Sequence, residues 1–131
     1  AYAEIETAAK ANVKQEVRRL ACMEIGQVVR QGDIYLHRVA DDHTHGPKAK
    51  TRQLAIGETQ GSRHIALAPA VCYEGTKLPD WCVRNTFLGP LIKSKKQFTV
   101  THPEHAHVRL PAGCYQTTHQ MDAMTLQRVR D

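Results

Sequence analysis

The sequence has few aromatic residues and no long apolar run. Phe, Trp and Tyr make up 5% of the 131 residues, so the core must consist mainly of Val, Leu, Ile and Ala. No stretch approaches the roughly 20 consecutive apolar residues that a membrane-spanning helix requires. Acidic and basic residues are interspersed near the start of the chain, so we expect no signal peptide. These features predict a soluble, cytoplasmic protein without a membrane partner.

Paired cysteine motifs are also missing. The spacings of Cys22, Cys72, Cys82 and Cys114 match neither a C-x-x-C zinc pair nor a redox motif. In a cytoplasmic protein we expect four reduced thiols, most of them buried as small hydrophobic side chains. A disulfide between Cys72 and Cys82 is the alternative, because a loop could bring the two cysteines together.

What is present is the composition of one globular domain, with 41% hydrophobic residues, 24% charged residues and a net charge of +5. This charge permits binding to phosphates, nucleic acid or an acidic partner without demanding it. Three groups of basic residues lie along the chain: Lys14, Arg18 and Arg19; Lys48, Lys50 and Arg52; and Lys93, Lys95 and Lys96. Only the last group is compact. A nucleic-acid partner is therefore possible but not favoured.

Residues 2–22 are predicted to form an N-terminal α-helix. An apolar stripe recurs at helical spacing through Ile5, Ala9, Val13, Val17 and Leu20. The stripe could dock on the rest of the domain or pair with a second copy of the chain, and docking is the simpler expectation. We predict a helical segment over residues 1–24, a single β domain over residues 25–131, and assembly into a homo-oligomer.

After Gly26 the hydrophobic pattern changes to a period of two, which is typical of strands. Strands are predicted at Asp33–Val39, Arg63–Ala68, Phe98–Thr101, His107–Leu110, Tyr115–Met121 and Thr125–Val129. Short strands separated by turn residues indicate a mainly β protein, a small antiparallel β-barrel or sandwich. Ala40–Lys50 is predicted to be an exposed loop. Glu74–Asn85, which holds the only tryptophan, is predicted to be a lid or an interface loop.

Eight histidines are an unusual number for a chain of this size. Residues i and i+2 project from the same face of a strand, so His105 and His107 could bind one divalent transition-metal ion. His64 or Glu104 would supply the third ligand. The alternative is that these histidines line a polar face and form hydrogen bonds with their neighbours. The metal set considered is thus His64, His105 and His107, and both interpretations stay open.

The segment His102-Pro103-Glu104-His105 predicts a rigid turn, because Pro103 fixes its own φ angle. Glu104 could orient the His105 imidazole or act as its acid–base partner, or the two could satisfy backbone donors. A pocket for an unknown small molecule is predicted to gather side chains from several segments. These are His64, Glu58, Glu104, Tyr115 and Gln120.

Three other segments suggest chemistry less strongly. Gly57–His64 is a glycine-bearing turn, but no helix follows it to complete a phosphate-binding loop. No G-x-S-x-G elbow is present. Cys114 follows Gly113 and is expected to be a buried structural thiol rather than a nucleophile.

From Arg30 onward the order of motifs resembles a family of small uncharacterised proteins found in phages and other mobile elements, including integron gene cassettes. The motifs are Arg30-Gln31-Gly32-Asp33, the Gly57-Glu58-Thr59 turn that ends in His64, His102-Pro103-Glu104-His105, Leu110-Pro111-Ala112-Gly113-Cys114-Tyr115, Gln120 and Arg128-Val129-Arg130-Asp131. The resemblance covers about residues 28–131. It implies a β fold and carries no activity.

A weaker likeness is to cupins, small β-barrels that bind metal through strand histidines. Gly61-Ser62-Arg63-His64 offers one histidine where cupins have two, and Leu110-Pro111-Ala112-Gly113 is similar to the cupin turn. This likeness implies, at most, an altered metal site that uses His105 and His107.

The sequence leads to two candidate functions, which belong to different classes. The first is a non-enzymatic binding or accessory protein of the mobile gene pool, which uses its basic surface or the loop around Trp81. The second is a cupin-like metalloprotein with a pocket formed by His64, Glu104, His105 and His107. The sequence leaves open whether the protein is an enzyme.

Overall fold

The structure is a computed structural model that describes residues 17–54, 63–82, 86–122 and 127–128. These residues contain eleven strands and no helix. The strands are β1 (Val17–Arg19), β2 (Val28–Gln31), β3 (Ile34–Val39), β4 (His45–Lys48), β5 (Ile65–Ala66), β6 (Val71–Gly75), β7 (Thr86–Ser94), β8 (Phe98–Thr101), β9 (His107–Leu110), β10 (Gly113–Asp122) and β11 (Gln127–Arg128).

The strands form two sheets. The first has the order β1-β9-β8-β5, and the second has the order β2-β3-β10-β7-β6-β4 with β11 paired to β10. The pair β1 and β9 is parallel, whereas the other described pairs are antiparallel. Neither sheet closes on itself in the described ranges. The prediction of a mainly β fold is therefore confirmed, and a sandwich fits the structure where a barrel does not.

The main core contains residues from the inner faces of both sheets. The Phe98 ring of β8 meets the Tyr115 ring of β10 edge-on, with ring centroids 5.5 Å apart. Leu36 and Ile92 of the second sheet are fully buried in the same cluster as Leu110 of the first sheet. Both rings are fully buried, so these two aromatic side chains, of a type that is scarce in this sequence, remove a large apolar area from water.

The outer face of the second sheet carries a smaller apolar cluster. Val39, Leu91 and Cys114 are buried there, and Tyr73 packs against them. Because side chains alternate along a strand, Cys114 faces outward while its neighbour Tyr115 faces the core. Both faces of this sheet therefore hold buried residues.

The predicted N-terminal helix is wrong where the structure can be compared with it. Val17–Arg19 form β1, which pairs in parallel with β9, and the amide of Leu20 donates to the carbonyl of Arg109. The free edge of β9 offers backbone hydrogen bonds that outweigh a weak helix propensity. Residues 1–16 lie outside the described residues. The predicted boundary between residues 24 and 25 therefore stays a prediction.

Several strands differ from their predicted positions. The predicted loop over residues 40–50 contains β4, although Gly46 and Pro47 lie within it and the pairing with β6 shifts in register. Besides β1 and β4, three further strands were not predicted: β2, β6 and β7. In β7, Gly89 and Pro90 lie where the pairing with β10 shifts, and this irregularity hides the period of two in the sequence.

All four cysteines are free, as predicted. Cys72 and Cys114 are buried, Cys82 is half-buried and Cys22 is exposed. The alternative disulfide between Cys72 and Cys82 is absent. Within the described ranges no helix is long and apolar enough to cross a membrane.

Candidate functional site

The residues of the pocket that was predicted around His64 lie in different surroundings where the structure describes them. His64 and Tyr115 are both 0% exposed, and the Tyr115 hydroxyl donates to the carbonyl of Pro111 at 2.9 Å. Glu104 is exposed at the turn before β9. Glu58 and the side chain of Gln120 lie outside the described residues. The members that can be located are therefore divided between core and surface.

His64 belongs instead to a buried polar network between the two sheets. Gln31, the last residue of β2, donates from Nε2 to the carbonyls of Val100 and Ala106 at 3.0 and 2.9 Å. Its Oε1 lies 2.8 Å from His64 Nδ1. Because an amide oxygen only accepts, His64 Nδ1 must carry a proton and donate it. The side chain of Gln31 thus bridges the second sheet to the first.

The other nitrogen of His64 faces a buried carboxyl group. His64 Nε2 lies 3.0 Å from Asp33 Oδ1, and both side chains are 0% exposed. A hydrogen bond at this distance needs one proton between the two atoms, since Nδ1 is already the donor to Gln31. Whichever atom holds that proton, the pair carries no net charge, which limits its desolvation penalty.

The rings of His102 and His105 lie next to this pair in tilted contact. The ring centroids of His64 and His102 are 4.4 Å apart, and those of His102 and His105 are 4.5 Å apart. His102 Nδ1 accepts the backbone N–H groups of Glu104 and His105 at 3.0 and 3.1 Å. Hydrogen bonds from two backbone N–H groups to the His102 imidazole therefore stabilise the turn. This arrangement corresponds to the structural role that was considered for this segment, rather than to an acid–base role for Glu104.

The histidines converge without forming a metal centre. Both ring nitrogens of His64 are hydrogen-bonded, so neither presents a lone pair to a metal ion. His105 lies in the turn and His107 begins β9, so the two are not on one strand as predicted. Among the described residues, no group of three or more His, Cys, Asp or Glu side chains could hold a metal ion. The metal set His64, His105 and His107 stays a prediction that this geometry does not support.

A second polar cluster lies around His37 on the outer face of the second sheet, and we call it the Trp81 cluster. The sequence did not indicate it. The indole N–H of Trp81 donates to His37 Nδ1 at 2.9 Å, and His37 Nε2 lies 2.8 Å from Thr118 Oγ1. Since Nδ1 accepts, the neutral ring must carry its proton on Nε2. Burial lowers the pKa of His37, which favours this neutral form.

Cys82 is near this ring but is not activated by it. Its Sγ lies 3.8 Å from His37 Nε2, the nitrogen that carries the proton. A protonated nitrogen cannot remove the thiol proton, and burial raises the pKa of Cys82. This cluster therefore does not provide a nucleophilic Cys–His pair.

A basic cleft, which we call the Lys93 cleft, lies at one end of the second sheet. It has a volume of about 840 Å³. Its charged lining residues are Arg38, Asp41, Lys93, Lys95 and Lys96. Four cations and one carboxylate leave a formal charge of +3, which suits an anionic ligand of drug or nucleotide size.

Arg38 is held in place by its surroundings. Its guanidinium carbon lies 5.8 Å from the centroid of the Tyr115 ring, and Nη1 is 3.5 Å from Asp41 Oδ1. Gly113 has φ = +150°, and a Cβ there would lie 2.6 Å from Arg38 Nε. The missing side chain at Gly113 thus leaves the room that this guanidinium occupies.

The polar groups of the Lys93 cleft are suited to binding rather than to chemistry. The Ser94 hydroxyl donates to the Lys96 carbonyl at 2.6 Å and holds the turn between β7 and β8. Burial raises the pKa of the Cys114 thiol to about 11, even though Lys93 and Arg38 act in the opposite direction. The thiol is therefore protonated near neutral pH and is a poor nucleophile.

The role of Gln31 is testable by replacing it with Met, which keeps the length of the side chain and removes three hydrogen bonds. We expect the free energy of unfolding in urea to fall by about 3 kcal/mol, since two of these bonds are fully buried. Gln27→Met is the matched control. Gln27 is exposed and accepts one surface hydrogen bond from Glu24, so the loss should be below about 1 kcal/mol. Equal losses in the two variants would contradict the bridging role.

The contact between Trp81 and His37 predicts a pH-dependent fluorescence signal. Since the folded-state pKa of His37 lies below its ordinary value of 6.5, the ring stays neutral above that pH and is protonated as the pH falls further. Protonation of Nδ1 removes the acceptor of the indole N–H, so the emission of the only tryptophan should change with a midpoint below 6.5.

His37→Gln should abolish this fluorescence transition. His43→Gln is the control, because His43 Nε2 contacts the Lys77 carbonyl rather than the indole. A transition that persists in His37→Gln, or disappears in His43→Gln, would contradict the assignment.

Comparison with known proteins identifies the chain at the level of its family. No curated protein and no solved structure matches it. The expected origin from phages or integrons stays a prediction. A family model described as a domain of unknown function (DUF8820) matches residues 30–120, which include the Gln31–His64 network, the Trp81 cluster and the Lys93 cleft. The chain therefore belongs to the DUF8820 family.

Proposed function

We propose that this protein is a non-enzymatic binding protein and that the Lys93 cleft holds a ligand with several negative charges. The observation that carries the proposal is the convergence of four cations on one cleft of about 840 Å³. A volume of this size accommodates a small molecule or a section of a polymer.

The architecture of the cleft supports an anionic ligand. Lys93 lies on β7 and pairs with Val71 on one side and Cys114 on the other, so its backbone is fixed in the middle of the sheet. Its ammonium group lies 5.6 Å from the centroid of the Tyr73 ring. Lys95 and Lys96 are exposed at the following turn. Lys93 therefore presents a charge at a fixed position, and the two exposed lysines beside it can extend towards a bound anion.

Preorganisation of Arg38 also favours binding. The Tyr115 ring and Asp41 orient the guanidinium before a ligand arrives, so less side-chain entropy is lost on binding. Arginine presents several donors in a planar fork, which matches the oxygens of a phosphate group. A phosphate-bearing ligand is therefore the chemical class that the cleft fits best.

The histidines support the non-enzymatic part of the proposal. His64 and His102 are buried and engaged in hydrogen bonds, and the neutral tautomer of His37 is fixed by Trp81. None of these three imidazoles lines the Lys93 cleft. These three imidazoles, which are the side chains best suited to acid–base catalysis near neutral pH, therefore take part in the fold, while cations line the cleft.

Isothermal titration with tripolyphosphate at low salt tests the proposal. We expect saturable binding to the intact protein and a Kd about tenfold higher for Lys93→Gln, which corresponds to about 1.4 kcal/mol for one lost charged contact. Lys77→Gln is the matched control, since Lys77 is exposed and outside the lining of the cleft. An absence of binding, or the same Kd in both variants, would contradict the proposal.

A further inference from the structure

We infer that the ligand of this surface is the sugar–phosphate backbone of a nucleic acid, which runs from the Lys93 cleft into a second basic cleft. This inference rests on the proposed function and extends it from a small anion to a polymer. The second cleft, here the Arg52 cleft, has a volume of about 260 Å³. Its charged lining residues are Lys48, Lys50 and Arg52, and none of its lining residues is acidic.

The two clefts are adjacent, since Val71 lines both of them. The register of the second sheet explains why. The Ala49 amide donates to the Cys72 carbonyl, while the neighbouring Val71 pairs with Lys93, and Lys93 pairs with Cys114. Two basic groups that are more than 40 residues apart in the sequence thus lie in one row across the strands.

The resulting basic band is long enough for a polymer. It consists of Lys48, Lys50, Arg52, Lys93, Lys95, Lys96 and Arg38. From β4 to β3 the sheet crosses four strand spacings, which is about 19 Å at about 4.8 Å each. Each strand of a duplex carries one phosphate per 3.4 Å of helix axis, so a band of this length along the axis spans about five of them. A mononucleotide would leave part of the band unoccupied.

The band is built to contact phosphates rather than bases. Tyr73 is the only aromatic residue among those lining the two clefts, and it is half-buried. Its ring already contacts the His45 ring, with centroids 4.4 Å apart, and the Lys93 ammonium. Stacking of bases on open aromatic faces is therefore not what this surface provides. Binding should be independent of sequence and strongly dependent on salt.

The same surface is less suited to an acidic protein. The large hydrophobic side chains that are exposed in the described residues are Val17, Ile25, Val28 and Trp81, and none of them lines either cleft. Protein interfaces depend on buried apolar or aromatic anchors at their centre, whereas a nucleic-acid backbone needs only a row of cations.

Fluorescence anisotropy with a labelled duplex and its single strand, over a range of salt concentrations, tests the inference. With about five phosphate contacts, the logarithm of the duplex affinity should fall with the logarithm of salt with a slope of about −4.5. Lys48→Gln/Lys50→Gln removes two cations of the Arg52 cleft and should weaken the slope by about 1.8. Tripolyphosphate binding in the Lys93 cleft should be unchanged in this variant.

Arg19→Gln/Lys77→Gln is the matched control, because it removes the same charge at exposed positions outside both clefts. The emission of Trp81 reports whether each variant is folded. Equal effects of the two double variants on the slope would overturn the inference and leave only a general attraction to the net charge. Tighter binding of a polyglutamate peptide than of the duplex, at equal salt, would also overturn it.

The test separates the two proposals. If tripolyphosphate binds and is sensitive to Lys93→Gln, but the nucleic-acid slope is the same in Lys48→Gln/Lys50→Gln as in the intact protein, the polymer inference fails and the anion-binding function stands. If tripolyphosphate does not bind, both fail.

Discussion

The arrangement of the two sheets depends on the hydrogen bonds of the Gln31 side chain. It leaves the end of β2 in the second sheet and reaches the Val100 carbonyl of β8 and the Ala106 carbonyl before β9 in the first. The same amide fixes the proton on His64 Nδ1, and His64 in turn contacts Asp33. A buried polar network stabilises a fold only when its members have partners, because an unpaired member carries the full desolvation penalty.

This constraint also explains why the candidate functional site consists of surface cations rather than histidines. A chain with eight histidines suggests a metal site or an acid–base site, but the most buried imidazoles serve as hydrogen-bonding parts of the structure. Once Gln31 and Asp33 occupy both nitrogens of His64, that ring has no lone pair left for a metal. The positive charges at the surface are those of lysine and arginine, and the second sheet brings two groups of them side by side.

The alignment of the cations follows from strand pairing. Lys93 is fixed by its neighbours on β6 and β10, and the chain around Ala49 is fixed by its hydrogen bond to Cys72. Gly113 leaves space for Arg38, which lies against the Tyr115 ring. The fold thus joins two basic segments that are distant in the sequence into one band.

The sequence predicted the parts of this protein that depend on local patterns. The strands at Phe98–Thr101 and around Tyr115 follow from their alternation of apolar and polar residues. The helix over residues 2–22 was wrong at Val17–Arg19, because the pairing partner on β9 is about 90 residues away and leaves no local signal. Gly89 and Pro90 interrupt the alternating pattern of β7, so the sequence did not predict this strand. The pairing of β7 with β10 shifts in register at the same two residues.

The candidate site was predictable only in pieces. Both basic groups, Lys48–Arg52 and Lys93–Lys96, were visible in the sequence, but their adjacency depends on the pairing of β6 with its neighbours. The sequence left open whether His64 approaches the segment 102–107, and it gave no sign of the partner that decides the chemistry of His64. That partner is Gln31, which lies more than 30 residues from His64 in the chain. The contact of Trp81 with His37 had no sequence signal at all.

The most direct measurement of the central claim is a titration of ¹⁵N-labelled protein with a short oligonucleotide, followed by amide chemical shifts. We expect the largest shifts at residues of the two clefts, namely Lys48–Arg52, Val71, Lys93–Lys96 and Gly113. The amides of Gln31 and His64 should stay in place, because the buried network does not take part in binding. Shifts centred on His64 or on Trp81, with none at Lys93, would contradict binding of the nucleic acid at the two clefts.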